Sequence, residues 1–358
     1  MDAKGLIVTH TDSEHGNSLG DRRGTRCIFP VANKPILFHT LEAMAAAGIA
    51  EVGIAATAGT EATLETAVGS GKSWGLHVSF LRLDRSDSLA AVLLGGEAFL
   101  DAHPFVLQHG DGILRHDLGA LVRAVTGQDG PDALLLLHRA HGLRNGRFGR
   151  RTQASKLALA GDLTPTRGLM VADAQVFGER FMHRAGDVLR SHREDVSVAA
   201  LADVLARSGT RVETRRVGAW HRFDGDPYQL LDMNRLLLEE LDPGPSELEL
   251  RDTRIEGRVV IHPSAHIESS VIRGPAVIGA NATIVDAFIG PYTAIGDRTR
   301  IEGAEIENSI VCSGAEVLRV GARLESSVVG RDARVARDFS IPEGIRLHIG
   351  ESASVVLP

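Results

Sequence analysis

Aliphatic residues recur at steps of about six through the last third of the chain. From Ile255 the text reads IEGRVVIHPSAHIESSVI and later VIGANATIVDAFIGPYTAIGDRTRIEGAEIENSIV. Ile255, Ile261 and Ile267 mark the step, then Ile289, Ile295 and Ile301, with Gly or Glu following several of them. That period predicts a β-helix, in which each short strand buries one aliphatic residue and small or polar residues turn the corners. The period-2 alternation of longer sandwich strands is absent. The first two thirds read differently. GLIVTH (Gly5–His10), EVGIAA, HVSFLRL and PFVLQHGD read as strands. KPILFHTLEAMAAAGI (Lys34–Ile49), TEATLETAV and DSLAAVLLGGEAFL read as helices between them. This alternation predicts βαβ units around a mostly parallel sheet. Ligands of such sheets lie at the carboxyl ends of the strands, here Thr9–Asp12, Arg82–Asp87 and His109–Gly112. DPYQLLDMNRLLLEEL (Asp226–Leu241) reads as a helix with Asp226 at the N-cap and Pro227 at its first position. DPGP (Asp242–Pro245) ends it. The expected organisation is an α/β domain over 1–241, a linker over 242–250 and a β-helix over 251–358.

Composition narrows the class. A chain of 358 residues suits two domains. The net charge of −7, with no basic stripe, argues against a nucleic-acid partner. No apolar run is long enough to span a bilayer, and MDAKGLIVTH lacks the pattern of a signal peptide. Only Cys27 and Cys312 are present, so a reducing, cytoplasmic setting is expected. Lys4, Lys34, Lys72 and Lys156 are the only lysines, so arginines are the expected phosphate ligands.

Four stretches, taken together, resemble the sugar-1-phosphate nucleotidyltransferases: PVANKPIL, FVLQHGDGIL, DPYQLLDMNRLLLEEL and the repeats up to IENSIV. The nearest group is the long form of glucose-1-phosphate thymidylyltransferase, which carries a C-terminal left-handed β-helix. The resemblance implies a Rossmann-like domain that joins a nucleoside triphosphate to a sugar-1-phosphate and releases pyrophosphate. It also implies a magnesium ion held by two aspartates. Such chemistry rests on positioning and charge stabilisation.

The site departs from that family in several places. The family's glycine-rich phosphate loop should follow Val8, but Thr9, His10, Thr11, Asp12, Ser13 and Glu14 stand there. Gly24-Thr25-Arg26 lies where the family has Pro-Lys, so Arg26 takes the lysine position. The base-binding glutamine maps onto Arg82, and the Glu-Lys-Pro that grips the sugar phosphate is missing. Asp111 matches the first metal aspartate. In HRFDGDP, Arg222 keeps a positive charge, Phe223 replaces the second metal aspartate, and Asp224 is adjacent. Arg147 and Gly149 match an Arg-Phe-Gly that lines the sugar pocket.

The replacements carry imidazoles and carboxylates. His10, His109 and His221 fall at or beside former site positions, with Asp111 and Asp224 near them. These five are the candidate catalytic residues, since histidine titrates near neutral pH and suits acid–base work. Thr11, Asp12, Arg26, Arg82, Arg147, Gly149 and Arg222 are the candidate substrate ligands, and Asp111 the candidate metal ligand. Whether a divalent metal, magnesium or a transition metal, serves as cofactor stays open. His109 and Asp111 share strand parity, so both are expected to face the crevice. Three readings follow. The first is an enzyme repurposed for acid–base chemistry on a sugar-like or phosphorylated small molecule. The second is a non-catalytic binding or assembly subunit. The third is a still active nucleotidyltransferase. Self-association into a homo-oligomer through the β-helix is expected in each.

Overall fold

The run KGLIV forms strand β1 (Lys4–Val8), flanked on both sides by parallel strands and covered on both faces. Its side chains alternate. Leu6 and Val8 enter one apolar cluster, and Ile7 enters the other. The computed structural model describes residues 2–9, 25–84, 88–139, 169–191, 197–242 and 252–337. The chain divides into two compact units, Met1–Glu240 and Leu241–Pro358.

In the first unit β1 is followed by the hairpin β2 (Pro30–Val31) and β3 (Lys34–Pro35), then α1 (Ile36–Ala46), β4 (Glu51–Ala56), α2 (Glu61–Val68) and β5 (His77–Arg82). Next come α3 (Leu89–Gly95), α4 (Glu97–Leu100), β6 (Phe105–His109), β7 (Gly112–Arg115), α5 (Leu118–Thr126) and β8 (Ala133–Arg139). The unit closes with β9 (Leu169–Phe177), α6 (Phe181–Ser191), α7 (Val198–Arg207), β10 (Val212–Arg216), β11 (Ala219–Arg222) and α8 (Pro227–Leu238). The segment expected as one helix over DSLAAVLLGGEAFL is α3 and α4, parted at Gly96.

The main sheet has the order β10-β8-β9-β6-β1-β4-β5. Its pairs are parallel except those of β9, which runs antiparallel to both β6 and β8. Helices cover both faces. Leu37, Leu41 and Met44 of α1 and Leu121 and Val122 of α5 pack on Ile7, Ile54 and Val106. Leu93 of α3, Phe181 of α6 and Leu201 of α7 pack on Leu6, Val8 and Leu107. The β2–β3 turn places Ala32 at φ 47° and Asn33 at φ 63°, the left-handed pair that a tight hairpin needs. The Ala32 N–H donates to Asn234 Oδ1 at 2.8 Å, so α8 holds this turn in place.

The second unit is a left-handed parallel β-helix, as the six-residue step and the family resemblance predict. Three sheets of five short parallel strands stack coil upon coil. Each sheet carries an aliphatic ladder inward. One holds Ile267, Ile284, Ile301 and Val317, the next Ile272, Ile289 and Ile306, and the third Ile278, Ile295 and Val311. Corners turn through left-handed residues such as Asn281, Asp286 and Asp332, whose short polar side chains tolerate positive φ.

Candidate functional site

The carboxyl end of β1 meets that of β6. Val8 and His109 are register partners there, and the Gly110 N–H donates to the Val8 carbonyl at 2.8 Å. Thr9, at the end of β1, is buried and donates its hydroxyl to the Ala55 carbonyl at 2.6 Å. The strand β6 stops at His109, and Gly110 and Asp111 form a two-residue turn into β7. The expected parity of His109 and Asp111 therefore does not apply, because the turn re-aims Asp111 before the pleat can place it.

The antiparallel pair β7–β11 brings the next residues in. Arg222 lies opposite Gly112. A Cβ at Gly112 would collide with the Trp220 ring, so glycine is required for the two strands to close. Arg222 then reaches two carboxylates. Its Nε donates to Asp111 Oδ1 at 3.0 Å and its Nη1 donates to Asp173 Oδ2 at 3.0 Å. Asp173 comes from β9, a residue the sequence reading did not single out. Its signal was a lone carboxylate in the apolar run LMVADAQVF.

Water is excluded from the Asp111 end of this cluster, while Arg222 is partly and Asp173 largely open to solvent. Asp111 is 2 % exposed, and its Oδ2 is buried with no hydrogen-bond partner. Burial pushes the Asp111 carboxyl above the usual carboxylate range, against the opposing pull of Arg222 and then Arg26. Burial disfavours the Arg222 charge, yet Asp111 and Asp173 outweigh it and hold the guanidinium firmly protonated. Cys27 lies in the same buried region, where burial and then the Asp111 charge raise its thiol far out of the reactive range.

Phe223 is 2 % exposed, with its ring centroid 5.8 Å from that of Phe29. Its N–H donates to the Asp111 carbonyl at 2.9 Å. Asp224 is exposed in the turn before α8, where its carboxylate accepts weakly from the Asp226 N–H at 3.4 Å. Alternation along β11 sends Arg222 one way and His221 the other. Arg82 is exposed and donates its Nε to Glu61 Oε2 at 2.6 Å. So the structure gathers Asp111, Arg222 and Arg26, and adds Asp173 to them. It leaves His221, Asp224 and Arg82 out of that cluster. His10, Thr11, Asp12, Arg147 and Gly149 lie outside the described residues.

A magnesium ion would need an octahedral set of oxygens, commonly including one or two carboxylates. Asp111 offers one orphaned oxygen, but its other oxygen is bound to a guanidinium. Phe223, which the family resemblance aligns with a second metal carboxylate, is buried and apolar. Two positive charges, Arg222 and Arg26, already act on Asp111. Among the described residues this set does not fit a divalent cation, and no cluster of three or more metal-ligating side chains occurs among them.

Comparison with known proteins bears on this arrangement. The sequence profile of the nucleotidyl transferase family matches residues 22–150, beginning after the segment where a phosphate loop would lie. A glucose-1-phosphate thymidylyltransferase of Streptomyces antibioticus is 30% identical over 352 residues, covering 97% of this chain and 94% of that protein. The low-salt glycan biosynthesis nucleotidyltransferase Agl11 of Haloferax volcanii is 28% identical over 340 residues, covering 93% of this chain and 94% of its own. A crystal structure of a Bacillus anthracis protein assigned as a glucose-1-phosphate thymidylyltransferase, in complex with sucrose, superposes with a TM-score of 0.56 at 16% identity. It covers 68% of this chain and 97% of its own, and shares the fold. With a sheet, a β-helix and a chain-long likeness in agreement, the protein belongs to the sugar-1-phosphate nucleotidyltransferase family.

Proposed function

We propose that this chain uses the strand-end crevice of the nucleotidyltransferase fold to bind a phosphorylated, sugar-type small molecule, without metal-dependent nucleotidyl transfer. The observation that carries the reading is Phe223. A buried aromatic side chain packed on Phe29 stands where the family resemblance calls for a metal carboxylate. Restoring a carboxylate there would bury an unpaired charge. The ligand class follows from the thymidylyltransferase relatives, which are named for glucose 1-phosphate, and from the guanidinium of Arg222, which is one quarter exposed.

A second reading keeps acid–base turnover, because His109 ends β6 next to the end of β1. It calls for a ligand proton within about 3 Å of that imidazole, directly or through a water. Self-association through the β-helix accompanies either reading. Calorimetric titration with glucose 1-phosphate in EDTA tests the proposal. Saturable binding that magnesium leaves unchanged supports it. Heat that appears only with magnesium and a nucleoside triphosphate contradicts it.

A further inference from the structure

We propose that the Arg222 guanidinium is a built-in cation that takes the place of a divalent metal ion and receives the phosphate of the ligand directly. This rests on the reading above and deepens it. The guanidinium bridges carboxylates from two separate parts of the sheet, Asp111 in the β6–β7 turn and Asp173 on β9, with both contacts at 3.0 Å. Carboxylates brought together from different strands usually need a cation between them, since like charges at close range repel. Here the cation is covalently part of the chain.

The charge balance agrees. Asp111 and Asp173 supply two negative charges, and Arg222 and Arg26 supply two positive ones at the same place. One divalent ion beside the same carboxylates would give the same sum. The geometry differs in a useful way. A metal offers open coordination positions, whereas a guanidinium offers N–H donors in a planar fork that matches a phosphate. The two carboxylates engage Nε and Nη1. The remaining donors stay on a side chain that is still one quarter exposed. The clamp also fixes the rotamer before the ligand arrives, so little side-chain freedom is lost on binding.

Arg222→Gln in the full chain tests this, read by the electron paramagnetic resonance of added Mn2+ and by calorimetry with glucose 1-phosphate in EDTA. Wild type should show no saturable Mn2+ site below ~1 mM. Arg222→Gln should gain one at least tenfold tighter, as two carboxylates lose their internal partner, and Asp173→Asn added to it should remove the site. Arg222→Lys should gain no Mn2+ site, because the positive charge is kept, but should bind glucose 1-phosphate more weakly, because the planar fork is lost. Glucose 1-phosphate affinity should fall at least tenfold in Arg222→Gln. A folded Arg222→Gln protein that gains no Mn2+, or that keeps its phosphate affinity, overturns the proposal. If that variant fails to fold by circular dichroism, wild type decides. A wild-type Mn2+ site that Asp173→Asn abolishes overturns the proposal, and a wild type without such a site upholds it. Failure of wild type to bind glucose 1-phosphate at all would instead sink the parent reading, whatever the Mn2+ result.

Discussion

Replacing Arg222 by Met strips a buried carboxylate of its partner, and the cost can be worked from the geometry. Asp111 is 2 % exposed, its Oδ2 has no hydrogen-bond partner, and its Oδ1 takes the Arg222 Nε. Leaving one member of a buried pair uncompensated costs about 3–5 kcal/mol. Three effects reduce that figure here. Arg26 still acts on Asp111, the Arg222 site is one quarter exposed and admits water, and the carboxyl can take a proton. We expect about 3 kcal/mol at pH 8, at the low end of that range. For a unit of this size this lowers the melting temperature by about 6–12 °C. The sign with pH follows from linkage. In the variant the folded-state pKa of Asp111 lies still further above its unfolded value, so the folded chain holds the extra proton. Stability is then fully present at low pH and is lost as pH rises through the folded pKa. The destabilisation relative to wild type should therefore shrink between pH 8 and pH 5. Scanning calorimetry on the transition of the first unit reads it. A loss below about 1 kcal/mol, or a loss that grows toward pH 5, would refute the reasoning.

Further expectations rest on other contacts. Asn234→Ala leaves the half-buried Ala32 N–H without its acceptor, and should cost about 1 kcal/mol in urea unfolding. Ile284→Ala removes the middle of one inward ladder. It should cost about 2–5 kcal/mol, read as a lower transition of the second unit with the first unchanged. A chain ended at Glu240 should keep cooperative melting but form a smaller assembly by light scattering, if the β-helix drives self-association.

The β-helix was legible because its period is local. Every coil repeats the same step, so Ile255, Ile261 and Ile267 announce one inward position on each of the three sheets without any knowledge of the rest. The units β1 to β6 were legible for a related reason, as short apolar runs bounded by turn signals define both strand and helix. Asp173 was not, because its role depends on β9 inserting antiparallel beside β6, a pairing between residues far apart in the chain. Asp111 was found by its Gly-Asp signature, yet its alignment with His109 failed at the turn Gly110–Asp111. Phe223 stood out in the sequence as an aromatic residue where the resemblance calls for a carboxylate, but only its burial and packing on Phe29 reveal that the ring belongs to the core. The fate of His10 and its neighbours lies outside the described residues.

We propose that this chain keeps the fold of a nucleotidyltransferase without its metal-dependent transfer. Pyrophosphate release from dTTP and glucose 1-phosphate with magnesium, on the full chain, tests it most directly. No release above the rate without protein is expected. Turnover near ~1 per second, within the ordinary enzyme range, would contradict it.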